Sequence, residues 1–104
     1  MPRTVLVRGR FQRHGQPVGG VIRFTPSRMW VVQDEVHWAC LAPTISMGWD
    51  GEFAAWLTPT DTDEVPWHYE VISPAGKHYV EVPYAEHGHT LRSLFDAHRA
   101  QPSP

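Results

Sequence analysis

Hydrophobic and polar positions alternate with period two along most of this chain. Residues 4–11 place Val5, Val7, Gly9 and Phe11 on one side, with Thr4, Leu6, Arg8 and Arg10 on the other. That pattern predicts a half-buried strand. Residues 12–17 read as a turn in which Gly15 takes positive φ. Residues 18–25 predict a second strand, with Ile22 and Phe24 on its core face. The paired Gly19 and Gly20 predict a bulge or a close backbone approach there. Residues 29–33 and 36–41 are short apolar runs around Asp34 and Glu35, and form a candidate hairpin. Both of its faces carry bulky side chains, Trp30 and Trp38 among them.

The rest is expected to be organised around residues 44–73. Asp50 and Gly51 sit between two alternating runs, 44–49 and 52–57, and predict a tight two-residue hairpin. Its core face would carry Ile45, Met47 and Trp49 from the first run and Phe53, Ala55 and Leu57 from the second. Residues 58–66 hold Pro59, Pro66, Asp61, Asp63 and Glu64, and read as a solvated loop. Residues 67–73 form a strand with Trp67, Tyr69 and Val71 on one face. After a turn at 73–77, residues 78–82 form another, with Val80 and Val82 inward. Residues 90–100 change to helical spacing, with Leu91, Leu94, Phe95 and His98 on one stripe and Thr90 as N-cap. So short a helix is marginal alone in water and must dock on something. The expected layout is a β-sandwich over 1–89, a short helix over 90–100 and a frayed tail over 101–104.

Composition points the same way. Ten prolines and eight glycines in 104 residues, with 12% aromatic residues, favour an all-β sandwich over a helical bundle. The net charge of −2 supplies no electrostatic footprint for nucleic acid or an anionic membrane, so neither is expected as a partner. Arg3, Arg8, Arg10, Arg13, Arg23 and Arg28 read as a solvated face. The single cysteine, Cys40, rules out an intrachain disulfide. No run approaches the roughly 20 apolar residues of a membrane helix. No signal-peptide core follows the first residues, so synthesis and initial residence in the cytoplasm are expected.

The residues suited to chemistry form no recognisable constellation. His87 and His89, joined by His78 or His98, would offer imidazoles to a metal, but no further ligands of fixed geometry are readable. The acidic stretch Asp61, Thr62, Asp63 and Glu64 lacks the spacing of a calcium loop. Cys40 has no basic or helix-start setting to activate it, and reads as a small core residue. No nucleophile elbow or phosphate-binding loop is present. A glycosidase-like carboxylate pair depends on a separation in space that sequence does not reveal. No enzyme activity, metal or cofactor is expected. The five tryptophans are more informative than any of these. They read first as protein contact surface, then as an aromatic core, then as a sugar-stacking platform.

In order, Val5, Val7, Gly9 and Phe11, then Gly15, Pro17, Val18, Gly20, Ile22, Phe24 and Pro26, form an ordered series of strand and turn signals. Asp50, Gly51 and Phe53, Leu57 with Thr60 and Asp61, Trp67, Tyr69 and Val71, Tyr79 to Pro83, and Leu91 with Leu94 extend it. The series resembles the small β-sandwich domain of actinobacteriophage minor tail and other virion structural proteins, over most of residues 5–94. The family pattern separates Asp from Gly in the hairpin and has an earlier proline after the acidic pair. Residues 29–41 have no counterpart in it. The resemblance implies an immunoglobulin-like or transthyretin-like Greek-key β-sandwich. It carries over no catalytic residues.

The resulting expectation is a non-enzymatic virion structural protein, a minor tail or tail-tip component assembled in the host cytoplasm. It would bind other virion proteins, as a homo-oligomer or within a symmetric assembly. A capsid decoration protein is the close variant. A carbohydrate-binding β-sandwich touching a host surface glycan is the alternative. The expected contact residues are Trp30, Trp38, Leu91, Leu94 and Phe95, chosen as apolar area without an evident place in the chain's own core.

Overall fold

Period-two alternation builds two facing sheets in the computed structural model, which describes residues 3–62 and 65–100. Strand β1 (Val5–Arg10) is followed by the two-residue strands β2 (Gln12–Arg13) and β3 (Gln16–Pro17), then by β4 (Gly20–Pro26). A hairpin follows, β5 (Trp30–Gln33) and β6 (Val36–Ala39), then β7 (Thr44–Met47) and β8 (Glu52–Leu57). Strands β9 (Tyr69–Ser73), β10 (Gly76–Val80) and β11 (His89–Thr90) lead into helix α1 (Leu91–Ala100). The expected tail 101–104, the acidic residues Asp63 and Glu64, and the side chain of His98 lie outside the described residues.

One sheet has the order β11-β1-β8 and the other β10-β9-β4-β7. Val5 and Val7 of β1, with Phe53, Ala55 and Leu57 of β8, face Ile22, Phe24, Tyr69, Val71 and Val80 of the second sheet. Phe24 meets Phe53 across the gap, with ring centroids 6.2 Å apart. The protein is thus an all-β, two-sheet fold with one short C-terminal helix. The ribbons β2–β3 and β5–β6 pair separately from both sheets.

The central hairpin is not a sheet ladder. Strand β7 pairs with β4, whereas β8 pairs with β1, so the two runs enter different sheets. The Gly51 amide donates to the Gly48 carbonyl at 2.9 Å, and the Gly48 amide to the Glu52 carbonyl at 3.1 Å. Trp49 and Asp50 are therefore the central residues of the turn, and Gly51 follows at φ 76. A Cβ at Gly51 would collide with the Phe11 carbonyl oxygen. Glycine is required because β1 ends against it, the Phe11 amide donating to the Gly51 carbonyl at 3.0 Å. The turn is a corner between sheets.

Trp49 accordingly does not face the core as its alternation predicts. It is 91% exposed at the apex of that corner, because β7 ends at Met47 and period two ends with it. The loop beginning at residue 58 likewise departs from its expected solvation. Thr58, Pro59 and Thr60 are buried, unlike a solvated loop. Thr60 acts as a pseudo-strand partner for Val82: its amide donates to the Val82 carbonyl at 2.8 Å. The Val82 amide returns a bond to Thr60 Oγ1 at 2.9 Å. Asp61 Oδ1 accepts from the Tyr84 amide at 3.0 Å.

Strand β11 runs parallel to β1, with Val7 opposite His89 and Arg8 opposite Thr90. Gly88, at φ 77, allows this approach, since a Cβ there would strike the Leu6 carbonyl oxygen. The chain then turns directly into α1, where Thr90 Oγ1 accepts the Ser93 amide at 3.2 Å as the predicted cap. Leu91 and Leu94 pack into the core.

Candidate functional site

The five expected contact residues do not form one surface. Trp30 is 52% exposed. Its register partner is Ala39, while Val31 is opposite Trp38, so Trp30 and Trp38 lie on opposite faces of the β5–β6 ribbon. Val31 is buried, and Trp38 is half-buried against the core. Leu91 and Leu94 are only 3% and 4% exposed. They have a place in the chain's own core after all, because the helix stripe docks on the sandwich. Phe95 is half-buried and stacks on His78, with centroids 4.3 Å apart and rings 25° from parallel. Of the five, Trp30 remains a broad outward surface.

Other exposed apolar groups share its role. Val32, two residues on in the same strand, extends the surface around Trp30. Trp56 is 57% exposed on the outer face of the β1–β8 sheet, opposite Leu6. Alternation within residues 52–57 already places Trp56 away from Phe53, Ala55 and Leu57, so its exposure was readable. That of Trp49 was not, for it depends on where β7 stops.

A cleft of about 900 Å³ opens between the start of α1 and the paired ends of β1 and β8. No sequence pattern marks it, since its residues come from distant parts of the chain. Phe11, Phe53 and Phe95 contribute its apolar lining, and Arg8, Arg10 and Arg92 its positive charge. Phe11 and Phe53 stack with centroids 6.0 Å apart. Arg10 is ion-paired to Glu52, its cross-strand neighbour. That hydrogen bond and the adjacent negative charge push the Arg10 guanidinium above its ordinary pKa. Arg92 and Asp96 approach only to 4.0 Å and are both largely exposed. Arg8 has no ion-pair or hydrogen-bond partner among the described residues. The arrangement suits binding of carboxylate-bearing or other anionic groups beside apolar ones.

The residues considered for metals are dispersed. His89 Nε2 lies 2.7 Å from the Pro83 carbonyl oxygen, and His78 is stacked under Phe95. Among the described residues no three His, Cys, Asp or Glu side chains are grouped to hold an ion. Cys40 is half-buried against the core. No helix among the described residues is long and apolar enough to cross a membrane. The chain matches no family model and none of the curated proteins.

Proposed function

We propose that this chain is a non-enzymatic virion structural subunit, a minor tail or tail-tip component that acts by binding neighbouring subunits. The observation that supports this is the outward face of the β5–β6 ribbon. Trp30 and Val32 share that face and are both exposed, on a ribbon that pairs with neither main sheet. Such an apolar patch carrying a tryptophan is what a contact anchor requires. The bacteriophage setting is supported by the ordered series of strand and turn signals from Val5 to Leu94. The same series favours an immunoglobulin-like or transthyretin-like reading of the two-sheet fold.

The test is the incorporation of Trp30→Ala into virions, with circular dichroism to establish folding. A folded variant that fails to assemble is the expected result, while normal incorporation would remove Trp30 as an anchor. Trp38→Ala is expected to lose stability as well, since Trp38 packs against the core. The glycan-binding alternative draws on Trp49, whose ring is open to solvent. It requires a change in tryptophan fluorescence with a host surface polysaccharide, and a flat response across a panel of such glycans would dismiss it.

A further inference from the structure

Two surfaces near opposite ends of β1 have complementary chemistry. The first is the tip of the β5–β6 ribbon, where Asp34 and Glu35 sit side by side and exposed. Both have positive φ, 53° and 65°. A two-residue turn of this hand ordinarily uses Asn-Gly or another glycine-containing pair. Here two carboxylates are presented to solvent in spite of the conformational cost, and backbone outliers of this kind concentrate where a surface has a task. Val32 and Val36 flank the tip and are exposed. The tip is fixed in place: Gln33 Oε1 accepts the Arg3 amide at 2.7 Å, and Gln33 Nε2 donates to Thr62 Oγ1 at 3.2 Å.

The second surface is the cleft. Arg3 precedes β1, whereas the cleft is lined from Arg8 onward. The intervening strand separates the two by roughly 17 Å at about 3.3 Å per residue, so a tip does not reach the cleft of its own chain. Three arginines line the cleft against two carboxylates, Glu52 and Asp96, a net charge of 3 − 2 = +1. Arg8 and Arg92 are available to an incoming anion, since Arg10 is held by Glu52. The tip offers two negative charges and two valines to a site with positive charge and phenylalanine rings.

We propose that the β5–β6 tip of one copy docks in the arginine-rimmed cleft of the next, so that the chain assembles head-to-tail with itself. Asp34 and Glu35 meet Arg8 and Arg92, and the flanking valines lie against Phe11 and Phe95. The two faces of such a contact differ, so repetition gives a ring if the rotation closes and a filament if it does not. This rests on the reading of the chain as a subunit that binds its neighbours, and it names the neighbour as another copy.

The test is sedimentation of the full chain over a range of concentrations, at low and high salt, with two charge reversals. These are Asp34→Lys with Glu35→Lys, and Arg8→Glu with Arg92→Glu. Wild type is expected to form salt-sensitive assemblies. Each reversed variant alone should sediment as a monomer, and mixing the two should restore association. Circular dichroism establishes folding, and Arg92→Glu alone, at a highly exposed site, serves if a double variant does not fold. Self-association unaffected by the reversals overturns the tip-to-cleft contact and leaves the subunit reading standing. So does a monomer that binds another virion protein. A monomer that binds no virion protein overturns both.

Discussion

Tyr69 donates its hydroxyl proton to the Leu41 carbonyl oxygen at 2.7 Å, bridging 28 residues of sequence. The same hydroxyl accepts the Thr58 amide at 3.0 Å, and Thr58 Oγ1 accepts the Leu41 amide at 2.9 Å. Two distant segments, at Leu41 and Thr58, are thereby tied to the inner face of β9. Tyr69→Phe leaves the Thr58 amide without this partner and is expected to destabilise the fold by about 1–3 kcal/mol. Urea unfolding of the two proteins measures it, and an unchanged midpoint would show the network to be dispensable.

Burial pushes the Tyr69 hydroxyl from its ordinary value of 10.0 up to about 12. The unfolded chain therefore releases this proton at lower pH than the folded one. The stabilisation is fully present below pH 10, and is lost as pH rises from about 10 to about 12, by roughly 3 kcal/mol over that window. Tyr69→Phe should lack this part of the alkaline loss. Equal slopes for the two proteins above pH 10 would assign it to other groups.

Glu35→Gly relieves one of the two positive-φ positions in the β5–β6 turn. A gain of about 1 kcal/mol in stability is expected, with weaker self-association because the tip loses a carboxylate. Chemical denaturation reads the first effect and sedimentation the second. A loss of stability would mean that Glu35 has a folded-state contact worth more than the strain.

Leu94 and Trp49 exchange the roles their sequence settings suggest. Leu94→Ala is expected to cost about 2–4 kcal/mol, because it empties a buried site between the helix and the sandwich. Trp49→Ala, at a solvent-exposed apex, should stay within about 0.5 kcal/mol of wild type. Thermal unfolding separates the two readily, and a large loss for Trp49→Ala would place that ring in a packed site.

Gly88→Ala combines a positive φ with a collision at the Leu6 carbonyl oxygen. A loss of about 2 kcal/mol or more is expected. Because Gly88 precedes β11 and α1, the helix amides should exchange hydrogen faster than in wild type. Unchanged exchange would show that helix docking does not depend on this crossing.

The strands of the core were legible because burial on one face leaves a period-two trace. Val5 and Val7, Ile22 and Phe24, Phe53, Ala55 and Leu57, and Tyr69 with Val71 all carry it, and all face inward. The helix was legible from its changed spacing and the cap at Thr90. The two-residue strand β11 was not, for two residues contain no period. The partners of residues 44–57 were also hidden. A glycine turn between two strands looks alike whether those strands pair or diverge, and only the competing ladders from β1 and β4 decide between them.

The chain's own residues therefore determined an all-β core, its inward side chains and a C-terminal helix, because hydrophobic burial acts locally on alternating faces. Tertiary structure decided which apolar groups remained outside. Leu91 and Leu94 entered the core when α1 met β1, β10 and β11, while Trp49 left it when β7 ended. It also created the cleft by bringing Arg8 and Phe53 beside Arg92 and Phe95. No spacing along the chain encodes that meeting, because it arises only when α1, after the crossing at Gly88, comes to lie beside the paired ends of β1 and β8.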